Sequence, residues 1–324
     1  MKALITGAGG FVGAHLLSYL SQNTDAELHG SLMTPGERRP EIDALAALHI
    51  LDLRDPAAVN ALLTTHQPQH IYHLAGQSFV PRSHEAPWET LETNLRSTLN
   101  IFETVRALGL DTRILVIGSA EMYGLVRPEQ LPLTEDAPFA PTSPYSVSKI
   151  AQDMLALQYA TAYNLFTVRV RSFNHIGPGQ TGRFAIASFA SQIAQIEQGQ
   201  AEPVVYVGDL SAERDFTDVR DVVRAYHLTL EHGTPGAVYN VCSGIARSMR
   251  STLDTLLALS RRPIEIRIDS TRLRPADIPL LVGDYSRLHA ATGWTPQIPF
   301  EQTLSDVLDT WRQYHRAQVN PPQG

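Results

Sequence analysis

The stretch Gly7-Ala8-Gly9-Gly10-Phe11-Val12-Gly13 decides the fold, because it lies directly between an apolar run at 3–6 and a helical pattern at 11–22. A glycine-rich turn in this position lets the backbone approach a pyrophosphate, whose negative charge then faces the amino terminus of the helix. The spacing, with glycine at 7, 10 and 13, differs from the more common G-x-G-x-x-G. We predict a dinucleotide site with contacts from Gly7, Gly10, Phe11, Val12 and Gly13. The alternative is a purely structural glycine turn.

The first half of the chain repeats a strand-then-helix unit. Apolar runs stand at 3–6, 27–31, 49–53, 70–75, 113–117 and 166–171. Helical patterns lie between them at 11–22, 56–65, 86–108 and 145–163. Because the runs are continuously apolar rather than alternating, we expect strands that helices cover on both faces. This pattern predicts an α/β fold with a Rossmann-like, doubly wound parallel sheet.

After residue 172 the regular alternation ends. The sequence there predicts helices at 184–198, 219–231, 248–260 and 301–317, and short strands at 203–207, 237–241 and 264–268. We expect a smaller mixed α/β lobe that covers the carboxyl ends of the strands, where ligands bind in such sheets. The predicted division is a nucleotide-binding Rossmann domain at 1–173, joined in space by 215–242, a substrate-binding lobe at 174–214 and 243–316, and a frayed tail at 317–324.

Composition and charge exclude several classes of protein. The chain has 324 residues, 43% hydrophobic and 18% charged, and a formal net charge of −7 at pH 7. This acidic balance argues against nucleic acid or an anionic membrane as a partner, and no apolar run approaches the ~20 residues that a membrane helix needs. The strand pattern begins at once and leaves no room for a signal peptide, so we expect a cytoplasmic protein. The single cysteine, Cys242, allows no intrachain disulfide and has no metal-ligand spacing around it, and we predict no metal site.

Lysine is rare in this chain, which draws attention to Lys149. It is one of two lysines, the other being Lys2, against 24 arginines. On a helix Tyr145 and Lys149 share one face, so the ammonium can lie close to the phenol and favour its phenolate form. A phenol whose pKa moves from ~10 toward neutrality can exchange protons in catalysis. We predict a catalytic pair, with an ordinary amphipathic helix as the alternative.

The ends of the next strands supply further cofactor contacts. An acidic residue usually follows the second strand of an NAD-specific enzyme, but residues 29–34 contain none, and Arg38 and Arg39 follow. A cation there suits a 2′-phosphate, so we predict NADP(H) with Arg38 as a contact; NADH binding and a solvated arginine loop are the alternatives. Cofactor contacts are also expected at the ends of the third and fourth strands, namely Asp52, Leu53, Leu74, Ala75 and Gly76.

The chain resembles the extended short-chain dehydrogenase/reductase family, in its sugar-nucleotide branch. The resemblance lies in the order of four features along the sequence: the glycine turn, Leu74-Ala75-Gly76, Ser119 and the Tyr145/Lys149 pair. The resemblance runs nearly end to end. It implies that Tyr145 exchanges a proton with a sugar hydroxyl or carbonyl, that Lys149 lowers the pKa of this tyrosine and holds the nicotinamide ribose, and that Ser119 orients the sugar oxygen. Glu121 stands where dehydratases of the branch carry an acidic element, so it joins the candidate catalytic residues.

The second half resembles, within that branch, the reductases that act on GDP-4-keto-6-deoxy-D-mannose. The similar stretches are 173–180, 207–221, 240–244 and 273–279, and the Glu-Ser-Pro-Arg-Arg stretch of GDP-mannose 4,6-dehydratases is missing. The resemblance implies a GDP-sugar substrate whose C4 ketone is reduced with NADPH, with Tyr145 as general acid. It also implies substrate contacts from Ser119, Glu121, Asn174, Arg214, Arg274 and Asp277.

Other functions stay open at this point. A dehydratase or epimerase on a nucleotide sugar would recycle its cofactor within one turnover, and Glu121 favours it. A non-catalytic NADP-binding sensor is the more distant alternative, since it has no need of a complete catalytic set. A surface ion pair with Asp215 is the alternative role for Arg214. By resemblance alone we expect a homodimer formed by helices near 86–108 and 145–163.

Overall fold

Thirteen strands and eleven α-helices are present in the computed structural model, which describes residues 1–272 and 278–319. The strands are β1 (Lys2–Thr6), β2 (Glu27–Leu32), β3 (Ala47–Ile50), β4 (His70–His73), β5 (Arg113–Ser119), β6 (Thr167–Ser172), β7 (Asn174–Ile176), β8 (Val204–Val207), β9 (Glu213–Asp218), β10 (Val238–Val241), β11 (Ala246–Ser248), β12 (Glu265–Ile268) and β13 (Leu280–Leu281). The helices are α1 (Phe11–Asn23), α2 (Pro40–Asp43), α3 (Pro56–His66), α4 (Val80–Glu85), α5 (Pro87–Leu108), α6 (Pro144–Tyr163), α7 (Ala185–Glu197), α8 (Val219–His232), α9 (Met249–Ala258), α10 (Ser286–Thr292) and α11 (Phe300–Val319). Within the described ranges, none of these helices combines the length and apolar character needed to cross a bilayer.

Seven strands form the central sheet in the order β10-β6-β5-β4-β1-β2-β3, and every pairing is parallel. The strand order reverses at β1, which pairs with β2 on one side and β4 on the other. In open sheets of this kind the ligand crevice lies outside the carboxyl ends of the strands at such a switch point. The predicted doubly wound parallel sheet is confirmed.

Helices cover both faces of this sheet. On one face α1 packs against α8, and on the other α5 packs against α3 and α6. Each face has its own apolar core, with Leu16 and Tyr226 in the first and Phe102 and Ile114 in the second. Burial on both sides explains why the strands read as continuous apolar runs.

The smaller lobe is built around β9. This strand pairs with β7, β11 and β13, and a separate parallel pair joins β8 and β12. A third apolar core, which includes Ile193, Val205, Leu253 and Leu304, lies among α7, α9 and α11. This lobe therefore has an interior of its own beside the central sheet.

A buried carboxylate connects β9 to the segments that follow β10 and β13. Asp215 in β9 is fully buried, and it accepts backbone hydrogen bonds from Ser243 (2.7 Å), Gly244 (2.9 Å) and Gly283 (3.3 Å). A buried carboxylate is costly unless such donors surround it. Asp215 therefore acts as a hydrogen-bonding hub, which differs from a surface ion pair with Arg214.

Several elements differ from the sequence predictions. The third strand ends at Ile50 rather than at 53, so residues 51–53 leave the sheet. The polar strand β9 and the short β7, β11 and β13 were not predicted, and neither were α2, α4 and α10. The last helix continues to Val319, beyond the expected start of a frayed tail at 317, and residues 320–324 lie outside the described ranges. The division into two domains by residue range stays a prediction.

Candidate active site

A cleft of about 1550 Å³ runs along the carboxyl ends of the central strands. Its walls come from the glycine turn after β1, the segments after β3, β4 and β5, the start of α6, and residues of the smaller lobe such as Phe189 and Arg214. A pocket for one small ligand usually has about 300–1,000 Å³. The cleft therefore has room for two ligands side by side.

The glycine turn forms one end of the cleft. Gly7 has a φ of +68°, and a Cβ placed on it would lie 3.0 Å from the backbone of Ala75. Gly10 is the N-cap residue of α1, and no side chain in the described ranges caps this helix end. The first backbone amides of α1 therefore point into the cleft and are not bound by a capping side chain. Amides arranged in this way bind phosphate groups.

The backbone of β5 and α6 brings Ser119, Tyr145 and Lys149 together. Ser119 is the last residue of β5, and its hydroxyl lies near enough to the Tyr145 phenol to favour the phenolate form. Tyr145 lies in the first turn of α6, whose N-cap Ser143 accepts a hydrogen bond from the amide of Ser146 at 3.1 Å. One turn further, Lys149 Nζ donates to the carbonyl of Ile117 in β5 at 2.9 Å. All three predicted residues line the cleft.

Burial governs the protonation of this pair. The pKa of Tyr145 is raised to about 12, mainly by burial and also by the negative charge of Glu121, while the Ser119 hydroxyl acts in the opposite direction. Burial likewise lowers the pKa of Lys149 to about 8. The expectation that Lys149 brings the pKa of this phenol toward neutrality is not met, because desolvation of the phenolate outweighs the opposing effect of the Ser119 hydroxyl. Near pH 7 Tyr145 is therefore a neutral phenol.

A buried polar network under the cleft was not predicted from the sequence. Thr6 Oγ1 lies 2.9 Å from His73 Nδ1 and accepts from the amide of Ala75 at 3.0 Å. His73 Nε2 lies 3.0 Å from Thr98 Oγ1, and burial, aided by the charge of Lys149, lowers the pKa of His73 to about 3. The network fixes Leu74-Ala75-Gly76 beneath the cleft with a neutral histidine. No local motif marks these residues, since each comes from a different element.

Asn94 in α5 is a second residue that the sequence analysis missed. Its side chain accepts from the amide of Gln77 at 2.8 Å, and donates to the carbonyl of Gln77 at 3.1 Å and to Ser148 Oγ at 2.8 Å. A Cβ on Gly76 would lie 2.8 Å from Asn94 Oδ1. The glycine that ends the predicted Leu74-Ala75-Gly76 stretch is therefore required by the approach of this asparagine.

Near the glycine turn the structure separates Arg38, the predicted contact, from Arg39, and neither is among the described residues that line the cleft. The Arg38 side chain is half exposed and donates to Asp43 Oδ1 at 3.0 Å. Arg39 Nη2 instead donates to the carbonyl of Gly9 at 2.8 Å, directly on the glycine turn. Glu37 lines the cleft, with its carboxylate accepting from the amide of Met33 at 3.1 Å. An acidic side chain, Glu37, therefore faces this part of the cleft, although residues 29–34 contain none.

The remaining predicted cofactor contacts lie where the strand ends place them. Asp52 and Leu53 line the cleft after β3, as Leu74, Ala75 and Gly76 do after β4. The Asp52 carboxylate is bound by Arg54 at 2.7 Å, and this hydrogen bond lowers its pKa. Asp52 is therefore an anion at neutral pH.

The smaller lobe contributes the residues predicted for substrate. Asn174 in β7 and Arg214 in β9 both line the cleft, and Arg214 is nearly buried, with Nη1 donating to the carbonyl of Glu213 at 2.9 Å. Arg274 and Asp277 lie outside the described residues. Arg183 and Arg272 also line the cleft, and sequence reasoning did not select them. A nucleotide with its phosphates would meet several cations on this side.

The ring of His175 stacks on Phe11 of α1, with centroids 6.2 Å apart and an interplanar angle of 13°. Burial lowers the pKa of this histidine. It lines the cleft as a neutral ring. This contact joins the smaller lobe to the start of the first helix, consistent with a packing role.

With this geometry in view, comparison with known proteins identifies the family. The model of the family described as GDP-mannose 4,6 dehydratase matches residues 4–307. The chain belongs to this family. Its membership confirms the predicted sugar-nucleotide branch of the extended short-chain dehydrogenase/reductases, which are NAD(P)-dependent enzymes.

Individual members of the GDP-mannose 4,6 dehydratase family differ in their similarity to the chain. It is 39% identical to the GDP-6-deoxy-D-mannose reductase of Pseudomonas aeruginosa over 310 residues, which cover 96% of this chain and 97% of that protein. It is 31% identical to GDP-mannose 4,6 dehydratase 2 of Arabidopsis thaliana, over 95% of this chain and 86% of that protein. A solved structure of RMD from Pseudomonas aeruginosa, complexed with NADPH, superimposes with a TM-score of 0.86 and 38% identity, over 97% of this chain and 99% of that one.

Proposed function

We propose that this protein reduces the C4 ketone of GDP-4-keto-6-deoxy-D-mannose to give GDP-6-deoxy-D-mannose, also called GDP-D-rhamnose, with NADPH as the reductant. The observation that carries the proposal is that Ser119, Tyr145 and Lys149 meet in the cleft, where the buried Tyr145 keeps a neutral phenol with its pKa raised to about 12. A reduction needs a proton donor, and a phenol that stays protonated across the neutral range meets that need. The 39% identity to a GDP-6-deoxy-D-mannose reductase supports the same choice.

In the proposed reaction each catalytic side chain has one task. Ser119 and Tyr145 donate hydrogen bonds to the ketone oxygen, so that they stabilise the negative charge that develops on it in the transition state. Tyr145 then passes its proton to this oxygen as the C4 carbon accepts a hydride, and the carbonyl becomes a secondary alcohol. Lys149, buried beside them, supplies the positive charge that favours the resulting phenolate.

The residues at the other end of the cleft fit NADPH. The cofactor supplies the hydride when it is bound. The uncapped start of α1 and the close approach of Gly7 to Ala75 suit its pyrophosphate, Asp52 and Leu53 lie where an adenosine would extend, and Arg39 on the glycine turn is the cation that we assign to the 2′-phosphate in place of Arg38. NADH remains the alternative reductant, since Glu37 faces the same region.

The substrate is proposed to lie across the smaller lobe. Arg214 is buried in the cleft wall, and its planar guanidinium suits the oxygens of a diphosphate. Asn174 lies on the adjacent strand, where its amide can hydrogen-bond the sugar or the pyrophosphate. By resemblance, Arg274 and Asp277 would add a second phosphate contact and a ribose contact.

A 4,6-dehydratase is the second candidate, and Glu121 is the observation that favours it. This carboxylate lies in the cleft two residues after Ser119, and its negative charge raises the pKa of Tyr145. Such an enzyme would oxidise and then reduce its own substrate, so that its cofactor is recovered after each turnover.

The test is to mix the purified protein with NADPH and enzymatically prepared GDP-4-keto-6-deoxy-D-mannose, with GDP-mannose in a parallel cell. We expect one NADPH to be oxidised for each keto sugar and no loss with GDP-mannose. Conversion of GDP-mannose to a keto sugar without net loss of NADPH would overturn the reductase in favour of the dehydratase. Glu121→Gln then separates the two candidates, since loss of this carboxylate should stop a dehydratase, whereas a reductase loses only a substrate contact.

We also propose a homodimer that forms through α5 and α6. Large hydrophobic side chains that are exposed to solvent occur on both helices, namely Trp88, Leu108, Val147, Met154 and Tyr163. We expect Met154→Glu to convert a dimer to a monomer in light scattering after gel filtration, while Leu259→Glu, at an equally exposed leucine elsewhere, should not. A wild-type monomer would refute the proposal.

The cytoplasm is the proposed location. The single cysteine is buried as a free thiol, so the protein makes no use of an oxidising compartment. Cell fractionation that recovers the activity with a membrane or secreted fraction would refute this.

A further inference from the structure

Three histidines meet at the outer edge of the central sheet, away from the cleft. His29 lies in β2, His49 in the edge strand β3, and His66 in the last turn of α3. One ring nitrogen of each lies within 4.8 Å of those of the other two, and the ring centroids are 4.4–5.3 Å apart. We propose that this cluster, His29–His49–His66, binds a first-row transition-metal dication such as Zn²⁺.

The hydrogen bonds around His29 present this histidine in the form that binds metal. His29 Nδ1 lies 3.1 Å from His49 Nε2, and His29 Nε2 lies 3.0 Å from the Glu27 carboxylate. The carboxylate accepts the Nε2–H, which leaves the Nδ1 lone pair facing the other two rings. Proteins commonly orient a metal-ligating histidine in this way, with a carboxylate on its second nitrogen. Glu27 is therefore a positioning residue for the site.

The distances fit a tetrahedral ion after a small adjustment. Zn–N bonds of 2.0–2.1 Å at tetrahedral angles place the ligand nitrogens about 3.3–3.4 Å apart. The His29–His49 pair is already at 3.1 Å. The other separations need to close by at most about 1.4 Å, which rotation of the half-buried His66 at a helix end can supply. Since His49 and His66 are partly exposed, water can take the fourth position.

The three histidines themselves have no part in the proposed reduction. None of the three histidines is among the described residues that line the cleft. An ion at this point would connect β2, the edge strand β3 and the end of α3. Its expected effect is to stabilise the folded protein with the logarithm of metal concentration above the dissociation constant, while turnover proceeds without it.

Full-length protein without an affinity tag, stripped with EDTA, is titrated with Co²⁺ and then Zn²⁺. We expect one equivalent to bind, with visible Co²⁺ absorption bands of a four-coordinate site and a rise in Tm on adding Zn²⁺. His49→Gln and His66→Gln should each weaken Zn²⁺ binding by more than about 100-fold, and Glu27→Gln by about 10-fold, as for removal of a carboxylate behind a ligand. His232→Gln is the matched control, because His232 is exposed and also lies in the last turn of a helix.

The result that overturns the proposal is wild-type affinity no tighter than that of the His49→Gln/His66→Gln double variant, or a loss of affinity in His232→Gln of the same size. Circular dichroism and Tm of the metal-free variants check folding. If His66→Gln fails to fold, the two remaining single variants decide, since His49 lies on the edge strand and Glu27 is largely exposed. Equal affinity of both to wild type would reject the site.

Discussion

The two ends of the cleft differ in how far their side chains are removed from water. At the catalytic end Tyr145 and Lys149 are 8% and 7% exposed, and burial is the largest cause of the pKa shift of each. At the adenosine end the side chains of Arg38 and Asp52 are 50% and 37% exposed. The pKa of Asp52 is lowered mainly by a hydrogen bond from Arg54. Substitutions at the first end should therefore change chemistry and stability strongly, and those at the second should change affinity modestly.

The sharpest test of the catalytic end is Tyr145→Phe. We expect kcat to fall by about 10²- to 10⁴-fold, because the proton donor is lost while the ring is kept. NADPH binding, measured by fluorescence titration, should be unchanged. The control is Tyr226→Phe, which removes another buried phenol of the cleft wall, one bonded to Ser172 rather than to Ser119. Wild-type turnover in Tyr145→Phe, or an equal loss in the control, would reject the assignment.

Lys149→Met should separate activity from stability. The ammonium titrates at about 8 in the folded protein and near 10.5 when unfolded. Below about pH 8 both states hold the proton, and burying the charge costs folding free energy; between these values only the unfolded chain binds the proton, so the cost fades as pH rises. We expect the variant to be more stable than wild type by about 1–3 kcal/mol near pH 7, and to lose this advantage near pH 10.

Urea denaturation of both proteins at these two pH values measures the effect. Lys2→Met is the matched control, since Lys2 is the other lysine of the chain and is partly exposed in a long ion pair with Glu27. An advantage of Lys149→Met that does not change with pH would show that the buried charge is not its cause. Turnover of this variant should be lost at every pH.

Arg214→Lys tests the substrate side at an intermediate scale. It keeps the charge but removes the planar fork, so we expect the KM for the GDP-sugar to rise about 10- to 100-fold while the KM for NADPH stays constant. Steady-state kinetics with each substrate varied in turn measures this. Arg183→Lys, at an exposed arginine of the same cleft, is the control. A change confined to the KM for NADPH would show that Arg214 contacts the cofactor and not the GDP-sugar.

The smallest effects are expected at the adenosine end. Arg39→Ala should raise the KM for NADPH about 3- to 10-fold and leave that for NADH unchanged, because a partly exposed ionic contact contributes about 1 kcal/mol. Arg38→Ala should have little effect, since its guanidinium is occupied by Asp43. If Arg38→Ala instead has the larger effect on NADPH, the sequence-based choice of Arg38 was right.

The sequence predicts the catalytic end better because its residues belong to regular elements. Tyr145 and Lys149 share one helix turn, so spacing alone places this pair on one face. Ser119 ends a strand, and the family resemblance is what indicates it as their partner. Arg38 and Arg39 follow β2 in a loop and a short 3-10 turn, where neighbouring residues point in different directions and spacing says little. Their separation is determined by contacts with Asp43 and Gly9 that no local pattern contains.

The missed features share a physical cause. The polar strand β9 has no apolar run because its buried groups are satisfied by hydrogen bonds from distant segments, as at Asp215. The direction of the pKa shift at Tyr145 was also missed, since helical spacing reports proximity but not desolvation. His29, His49 and His66 stand 20 and 17 residues apart in the sequence, so no short motif indicates a metal site. Each of these features depends on contacts between residues that lie far apart in the sequence.

The pairing of β10 with β6 limits how this enzyme can be divided into independently folding fragments. The last strand of the central sheet, Val238–Val241, arrives only after the chain has passed through β7, β8 and β9 of the other lobe. A fragment that stops at residue 173 would leave β6 as a bare edge, which invites pairing with other chains. During synthesis the sheet likewise stays incomplete until more than two thirds of the chain has been made. Exchange of substrate lobes between relatives would therefore require one segment before β10 and another after it, rather than a single cut.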